Sequence, residues 1–244
     1  MTTPQTTLAW IKRCLHRRGI LIDRLSVVTS PDLRLVAMLA AHAADLVIDV
    51  GANTGGYATS LRSAGFGGRI LSFEPLMAAH AALAAASRTD ANWAIADRMA
   101  LGDRDGSVSI NVAGNSASSS IREMLEAHRS AAPESAYVGR EDVDVRRLDG
   151  VRHPFLDSSV RPFLKIDTQG YEAEVLEGAA GMLDRVCGVQ LELTLSPLYE
   201  GQLLWRALVD RLEAAGFGLW GIVPEFIDPK TGRMLQCDGI FFRT

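Results

Sequence analysis

A glycine-rich loop between a strand and a helix is the feature that most constrains the fold of this chain. Residues 46–50 form a short apolar run, the loop follows at residues 51–56, and a second apolar run covers residues 69–74. A helical segment at residues 57–64 separates the runs, and strand, helix, strand in this order is a βαβ unit. Because parallel strands are covered by helices, we expect an open α/β sheet that binds its ligand at the carboxyl ends of the strands.

The rest of the chain repeats the alternation of apolar runs and helical segments, which indicates one domain with helices on both faces of the sheet. The pattern predicts strands at 93–96, 107–112, 143–148, 163–166, 189–193, 219–223 and 239–243, and helices at 77–87, 172–183 and 203–215.

One stretch, residues 111–143, interrupts this rhythm with small and polar residues around a short helical pattern at 121–128. Such a stretch is typical either of a mobile substrate loop or of an ordinary surface insertion. We therefore expect a domain at residues 46–244 with a polar insert near 111–143, preceded by an N-terminal helical extension at residues 1–45.

The N-terminal extension begins with an amphipathic basic pattern. Leu8, Ile11 and Leu15 share one helical face and are interleaved with Lys12, Arg13, His16, Arg17 and Arg18. This pattern fits a helix packed on the domain, and it also fits peripheral contact with a membrane surface. Both interpretations stay open at this stage.

Charge and cysteine usage limit the partners and the compartment. The net charge of −4 provides no basic surface for nucleic acid. The three cysteines have no C-x-x-C spacing, and the chain has neither a signal-peptide pattern nor a membrane-spanning apolar run. We expect a cytoplasmic protein with no nucleic-acid partner; a homodimer is left open.

The glycine loop and the next strand end carry residues suited to a nucleoside. Gly51 allows a tight turn, and Glu74 ends the second strand, where a carboxylate accepts hydrogen bonds from ribose hydroxyls. Asn53 replaces the second glycine of a dinucleotide-binding loop, which argues against NAD. Asp49 adds a carboxylate suited to the ammonium of an amino-acid moiety. S-adenosylmethionine combines that moiety with a ribose and has no phosphate.

At this point the sequence resembles the FkbM family of S-adenosylmethionine-dependent methyltransferases. The resemblance extends over residues 46–243 and depends on motifs in the same order and spacing at 49–55, 73–75, 100–103, 148–149, 164–172 and 175–179. It implies the class I methyltransferase (Rossmann-like) fold, with a seven-stranded, mostly parallel sheet. It also implies O-methylation of a hydroxyl on a sugar in a glycolipid, polysaccharide or glycosylated natural product. The cofactor residues expected on this basis are Asp49, Gly51, Asn53, Gly55, Tyr57, Glu74 and Leu101.

The acceptor hydroxyl needs a base at the methyl end of the cofactor, near the fourth and fifth strands. Asp167 and Glu192 are carboxylates in apolar runs there and are the first candidates, although Asp167 could instead cap a helix. His128 and His153, in loops, are the alternative bases. We expect Lys165, Glu172 and Ser120 near the substrate; Lys165 could also be a buried ion-pair partner, and Glu172 could brace the site. Asp167, Glu192 and Asp238 could converge on Mg²⁺.

Three other functions compete with this prediction. An NAD-linked oxidoreductase shares the βαβ unit and the ribose carboxylate. A non-catalytic S-adenosylmethionine-binding domain shares the whole cofactor site. A protein or nucleic-acid methyltransferase shares the chemistry but lacks support from the charge pattern.

Overall fold

The computed structural model describes the backbone of residues 4–244 and the side chains of residues 9–244; residues 1–3 and the side chains of residues 4–8, including that of Leu8 in the predicted extension, lie outside the described part. The helices are α1 (Pro4–His16), α2 (Pro31–Ala41), α3 (Gly56–Ser63), α4 (Met77–Ser87), α5 (Glu126–Ala131), α6 (Glu172–Gly178) and α7 (Trp205–Ala214). The strands are β1 (Leu46–Val50), β2 (Arg69–Phe73), β3 (Trp93–Ile95), β4 (Ala100–Leu101), β5 (Gly106–Ala113), β6 (Tyr137–Arg146), β7 (Pro162–Ile166), β8 (Gly188–Thr194), β9 (Phe217–Pro224) and β10 (Gln236–Arg243).

Within residues 4–244, seven strands form the main sheet in the order β3-β2-β1-β7-β8-β10-β9. The first five are parallel, and β10 runs antiparallel to both β8 and β9. The sequence-based prediction of a seven-stranded, mostly parallel sheet with the class I methyltransferase fold is confirmed. The strand order reverses between β1 and β7, so a crevice opens above their carboxyl ends.

The two faces of the sheet are covered by different helices because side chains alternate along each strand. Ile48 and Leu164 face the core that includes α6 and α7. Val47 and Phe163 face the core that includes α2, α3 and α4. Asp49 follows Val47 by two residues, and Lys165 follows Phe163 by two residues, so each shares a face of the sheet with its counterpart. The side chains of Asp49 and Lys165 therefore point toward the core that includes α3.

Helix α2 is packed as part of the domain. The Ser30 side chain accepts a hydrogen bond from the Leu33 N–H at the start of the helix, and Pro31 occupies its first turn. Leu35 and Leu39 are buried in the core formed with Val47. The extension predicted at residues 1–45 therefore divides in two, and α2 belongs to the body of the fold.

The structure of the polar insert near residues 111–143 differs from the prediction. Two predicted strands, 107–112 and 143–148, lengthen into β5 and β6 and pair antiparallel in a separate sheet, in the order β4-β6-β5. The predicted short helix at 121–128 begins later, as α5 at Glu126. The sequence could not show this because strand pairing is nonlocal, whereas small polar residues at the hairpin tip resemble a loop.

One predicted helix is shorter than expected. The helix at 172–183 ends at Gly178, where a Cβ would lie 1.9 Å from the main-chain oxygen of Gly102, and a 3-10 turn follows at Ala180–Arg185. This close contact with Gly102 leaves room only for glycine at position 178. Helix α6 packs there against the loop that follows β4.

Candidate active site

A cavity, open at its mouth, lies above the carboxyl ends of β1, β2 and β7; the space inside it is about 720 Å³ when the solvent at its mouth is included. Its walls are mostly apolar, as is typical of small-molecule and cofactor sites. It is lined by Val50, Gly51, Asn53, Phe73, Glu74, Pro75, Leu76, Met99, Ala100, Leu101, Ile110, Ser116, Ala117, Ser119, Ser120, Ile121, Asp167, Thr168, Gln169 and Tyr171.

The loop after β1 and the loop after β7 come into contact at Gly51. Its φ of 73° lies in the left-handed region, and a Cβ at this position would lie 1.8 Å from the main-chain oxygen of Asp167. Only glycine allows the loop after β1 to approach the loop after β7 this closely. Gly55 also has a positive φ, but it packs against the ring of Trp93 and is not part of the cavity wall.

Glu74 is held rigidly at one end of the cavity. Its Oε2 accepts a hydrogen bond from the Asn53 N–H at 2.8 Å, and its Oε1 accepts one from the Leu76 N–H at 2.9 Å. Burial raises the pKa of Glu74 despite these two donors. Each oxygen keeps a lone pair for a further donor, so the side chain remains able to accept hydrogen bonds from ribose hydroxyls.

Asp49, predicted to bind the ammonium of the cofactor, forms a buried ion pair. It is fully buried, lies opposite Lys165 in the strand register, and its Oδ1 is 3.1 Å from the Lys165 Nζ. Burial alone would lower the pKa of Lys165, but the carboxylates of Asp49 and Asp167 outweigh burial and raise it. Lys165 Nζ also donates to the main-chain oxygen of Gly51 at 3.2 Å. The pair thus ties β1, β7 and the glycine loop together beneath the cavity.

Tyr57 belongs to the same buried network rather than to the cavity wall. Its ring centroid lies 5.2 Å from Lys165 Nζ, and its hydroxyl donates to Gln190 Oε1 at 3.0 Å. Gln190 in turn donates through Nε2 to Asp238 Oδ2 at 2.6 Å. Burial is the main cause of a rise in the pKa of Asp238 to about 6.

The end of the cavity near Asp167 is organised by Gln169, which follows β7 with a φ of 53°. Its Nε2 donates to Asp167 Oδ1 at 2.8 Å and lies 3.2 Å from Glu192 Oε2. Its Oε1 accepts a hydrogen bond from the Tyr199 hydroxyl at 2.8 Å. One amide therefore orients two carboxylates.

The two carboxylates that flank Gln169 differ in exposure. The Asp167 side chain is 41% exposed and lines the cavity. Glu192 is 7% exposed, and burial, followed by the nearby charges of Asp167, Glu172 and Asp238, raises its pKa well above the usual range. Asp167 is thus open to a ligand, whereas Glu192 retains a proton more readily and supports the site from below.

Glu172 and Ser120, both predicted near the substrate, hold loops around the cavity. Glu172 is buried, its Oε1 accepts hydrogen bonds from the N–H groups of Thr168 and Gly170, and burial raises its pKa to about 7. This matches the bracing role left open by the sequence. Ser120 lines the cavity and donates through Oγ to the main-chain oxygen of Gln169 at 2.6 Å.

The insert also reaches the cofactor end of the cavity. The Ser116 hydroxyl donates to Asn53 Oδ1 at 3.1 Å, and Ala117, Ser119 and Ile121 contribute to the same wall. Residues 116–121 therefore connect the loop after β1 with the loop after β7. The sequence left open whether the insert is a substrate loop or an ordinary surface insertion, and within residues 116–121 it marked only Ser120 as a site residue.

The two candidate histidines lie away from the cavity wall. His128 is 3% exposed, packs between the rings of Tyr199 and Phe226, and burial lowers its pKa to about 4. His153 accepts a hydrogen bond from the Phe155 N–H through Nδ1, and burial lowers its pKa. Neither imidazole lines the cavity.

The predicted Mg²⁺ site is not supported. Among the side chains from residue 9 to residue 244, no three His, Cys, Asp or Glu residues are grouped to hold a metal ion. The reason is visible in the hydrogen bonds: the Gln169 amide lies between Asp167 and Glu192, and Asp238 is bonded to Gln190.

Gln169 and Tyr199 are the site residues that sequence reasoning missed. Gln169 lies in the 164–172 motif, so its position was marked, but its left-handed backbone and its partners were not. Tyr199 lies in a loop after β8 with no motif around it, and only its burial beside Gln169 reveals it.

Structural comparison finds class I methyltransferase folds at low identity. The 1,6-didemethyltoxoflavin N1-methyltransferase of Burkholderia thailandensis, solved with S-adenosylhomocysteine, is 12% identical, with 100% of this chain and 92% of that chain covered and a TM-score of 0.47. The magnesium protoporphyrin IX methyltransferase of Synechocystis, solved with S-adenosylmethionine, is 10% identical, with 97% and 96% covered and a TM-score of 0.47. We draw no functional conclusion from likenesses at this level.

Comparison of the sequence itself is more informative. No curated protein sequence matches the chain significantly. The family model of the methyltransferase FkbM domain matches residues 49–219, which include every residue of the cavity wall. Because this match spans well over half of the sequence, the chain belongs to the FkbM methyltransferase domain family.

Proposed function

We propose that the protein is an S-adenosylmethionine-dependent O-methyltransferase acting on a hydroxyl of a sugar in a glycolipid, polysaccharide or glycosylated natural product. The observation that carries the proposal is one apolar cavity with a buried, oriented carboxylate, Glu74, and an exposed carboxylate, Asp167, on its wall. Membership of a methyltransferase family disfavours the NAD-linked oxidoreductase that the sequence alone left open.

The cofactor end of the cavity fits the nucleoside part of the methyl donor. The carboxylate oxygens of Glu74 can accept hydrogen bonds from the ribose hydroxyls. The two backbone N–H groups that bond to these oxygens fix the orientation of the carboxylate. The apolar side chains of Phe73, Leu76 and Leu101 provide surfaces against which a purine can pack. The donor, once bound, supplies a methyl group already activated for attack by an oxygen nucleophile.

Alignment of the two substrates is the main task left to the protein. Holding two reactants in line is worth up to roughly 7–11 kcal/mol of a barrier. Gly51 brings the loops after β1 and β7 into contact, so the cofactor end and the acceptor end belong to one rigid unit. The Asp49–Lys165 pair beneath them stabilises that arrangement.

Asp167 is the base in this proposal. Its side chain lines the cavity, so an acceptor hydroxyl placed beside it would donate its proton to the carboxylate. Gln169 Nε2 orients Oδ1, and Lys165 Nζ lies 3.5 Å from Oδ2. Burial raises the pKa of Glu192, which lies on the other side of the Gln169 amide. A hydroxyl acceptor is favoured because it requires a base; the sugar class rests on the resemblance to the FkbM family.

The test is methyl transfer by the purified full chain. We expect label from methyl-radiolabelled S-adenosylmethionine to appear on glycolipid or polysaccharide fractions of a cell extract, in an ether linkage stable to alkali. Label on protein, nucleic acid or a carboxylate would refute the substrate class. Donor binding with no labelled product in any fraction would instead favour the non-catalytic binding domain.

Donor binding can be tested separately by isothermal titration calorimetry. Glu74→Ala removes hydrogen bonds to a charged acceptor, so S-adenosylmethionine should bind about 1.5–3 kcal/mol more weakly. Glu213→Ala, at an exposed position of α7, is the control and should bind as the wild type does. The melting temperature of Glu74→Ala must be measured too, since Glu74 also accepts two backbone hydrogen bonds. Unchanged affinity in a folded Glu74→Ala variant would move the donor site elsewhere, as would binding of NADH in place of S-adenosylmethionine.

A further inference from the structure

The N-terminal surface, defined here as residues 9–28, exposes far more apolar area than a packed segment does. Single exposed apolar side chains are normal, but a contiguous group of them marks an interaction site. Within this one stretch Leu21 is 75% exposed, Leu25 74% and Val28 81%. The other large apolar side chains exposed there are Trp10, Ile11, Ile20, Ile22 and Val27.

This surface has few contacts with the rest of the domain. Among the described residues, none of the four buried apolar clusters includes a residue from 9–28. The segment is joined to the body through Arg34, which donates to the main-chain oxygens of Val27 and Val28. Helix α2, by contrast, buries Leu35 and Leu39. The exposed apolar residues of this stretch therefore lie outside the buried apolar clusters of the described structure.

The same surface concentrates positive charge in a protein that is acidic as a whole. The chain carries a net charge of −4, yet residues 9–28 contain a single acidic residue, Asp23, which is 3.4 Å from Lys12. The basic side chains of Lys12, Arg13 and Arg17 line one shallow hollow together with Ile20, Leu21 and Ile22. Arg18 and Arg24 add two further charges within the segment.

We propose that residues 9–28 form a docking surface for an anionic lipid bilayer. Apolar side chains enter the boundary between headgroups and acyl chains, while adjacent Lys and Arg side chains bind anionic headgroups. A second copy of the chain is a poorer occupant, because two surfaces with the same positive charge repel each other. This inference is independent of the proposed function, although it would place the enzyme beside lipid-linked acceptors.

The lengths of the described helices agree with attachment at the membrane surface. Among them, none is long and apolar enough to cross a membrane. The surface instead combines a short amphipathic helix with the irregular stretch after it, which suits attachment in the plane of the interface.

The experiment is flotation of the full chain with vesicles of phosphatidylcholine alone or mixed with phosphatidylglycerol. We expect binding to the mixed vesicles that weakens at high salt, since exposed charges are screened. The variant Arg13→Glu/Arg17→Glu should bind at least about tenfold more weakly, because each basic residue near an anionic surface is worth roughly fivefold in affinity. The variant Leu21→Ser/Leu25→Ser should also bind more weakly, at low and high salt.

The matched control is Arg88→Glu/Arg152→Glu, which makes the same charge change at two exposed positions outside the surface. An equal loss of binding in this control would overturn the proposal, as would equal binding to neutral and mixed vesicles. Self-association without lipid that the Arg13→Glu/Arg17→Glu variant abolishes would identify a second copy as the occupant. Methyl transfer to a water-soluble acceptor should be unchanged in that variant, so failure of the docking surface and failure of the proposed function give different results.

Discussion

Gln169 holds the acceptor end of the cavity together through a single side chain. Its amide nitrogen reaches Asp167 and Glu192, and its amide oxygen accepts from Tyr199. A left-handed φ, unusual for a non-glycine residue, aims the side chain at these partners. The backbone conformation is held from outside by Glu172, which accepts the N–H of Gly170, and by Ser120, which donates to the Gln169 carbonyl.

At the same scale, the two carboxylates beside Gln169 should respond differently to amide substitution. Asp167→Asn removes the proposed base, so we expect turnover to fall by about 10²–10⁴-fold with the affinity for S-adenosylmethionine retained. Glu192→Gln keeps a neutral, hydrogen-bonding group of the same shape, so turnover should stay close to that of the wild type. Steady-state kinetics and calorimetry check both expectations. Equal losses in the two variants would mean that Asp167 and Glu192 act as a unit, and a normal Asp167→Asn enzyme would remove Asp167 from the mechanism.

Among the elements, the loops that follow β1 and β7 form the centre of the site. Parallel neighbours bring their carboxyl ends together, and the reversal of strand order leaves a crevice between these two strands. The loops cross at Gly51, where there is no room for a side chain. Residues 116–121 then reach over both loops from the β5–β6 sheet, through Ser116 to Asn53 and through Ser120 to Gln169.

Alanine substitutions at Gly51, in the loop after β1, and at Gly56, the first residue of α3, should distinguish the effect of crowding between the two loops from the effect of alanine on helix propensity. Gly51→Ala places a Cβ 1.8 Å from the Asp167 carbonyl and forces a side chain into a left-handed conformation, which by itself costs roughly 1–2 kcal/mol. We expect the free energy of unfolding to fall by more than that amount, measured by urea denaturation. Gly56→Ala is the control, because a Cβ there has no neighbour within 4 Å. A Gly51→Ala variant as stable as Gly56→Ala would show that the two loops separate freely.

Across the whole molecule, buried carboxylates around the sheet ends outnumber the cations that neutralise them. Glu172, Glu192 and Asp238 all have raised pKa values, with burial as the main cause in each case. Lys165 is the buried lysine among them and is already paired with Asp49. Between the ordinary and the raised pKa values of these groups, the folded site therefore binds protons more tightly than the unfolded chain does.

This proton binding should appear in the stability of Glu172→Gln. The pKa of Glu172 is about 7 in the folded protein, against an ordinary value of 4.5, so the folded state binds its proton more tightly. That contribution to stability is present below the ordinary pKa and is lost as the pH rises through the folded value. The glutamine can still accept hydrogen bonds from Thr168 and Gly170. We expect Glu172→Gln to gain stability relative to the wild type between pH 5 and pH 8, on the order of 1–3 kcal/mol.

Chemical denaturation at several pH values measures this difference. The comparison must be between variant and wild type, because His128 and His153 have lowered pKa values and change stability with the opposite sign in the same range. Glu213→Gln, at an exposed position, provides the control for a lost carboxylate. A difference between Glu172→Gln and the wild type that stays constant with pH would contradict the raised pKa.

The fold class, the order of most strands and helices, and the family are predicted from the amino-acid sequence alone. These predictions depend on local information: the spacing of apolar residues along the chain, the glycine loop, and sequence motifs that occur in a fixed order and at fixed distances. The sequence also located Gly51, Glu74 and Asp167, because residues at strand ends in a parallel sheet meet at one edge whatever their neighbours are.

Which side chains become partners depends on the three-dimensional arrangement of the strands and loops. Asp49 meets Lys165 because β1 lies beside β7 in a particular register, and Gln169 meets Glu192 and Tyr199 because β8 is the next strand. His128 is removed from the site by packing against Tyr199 and Phe226. Such contacts join residues far apart in the chain, and they depend on strand register, backbone φ and burial. None of these three quantities is set by the residues on either side of a position, so a single sequence does not reveal them.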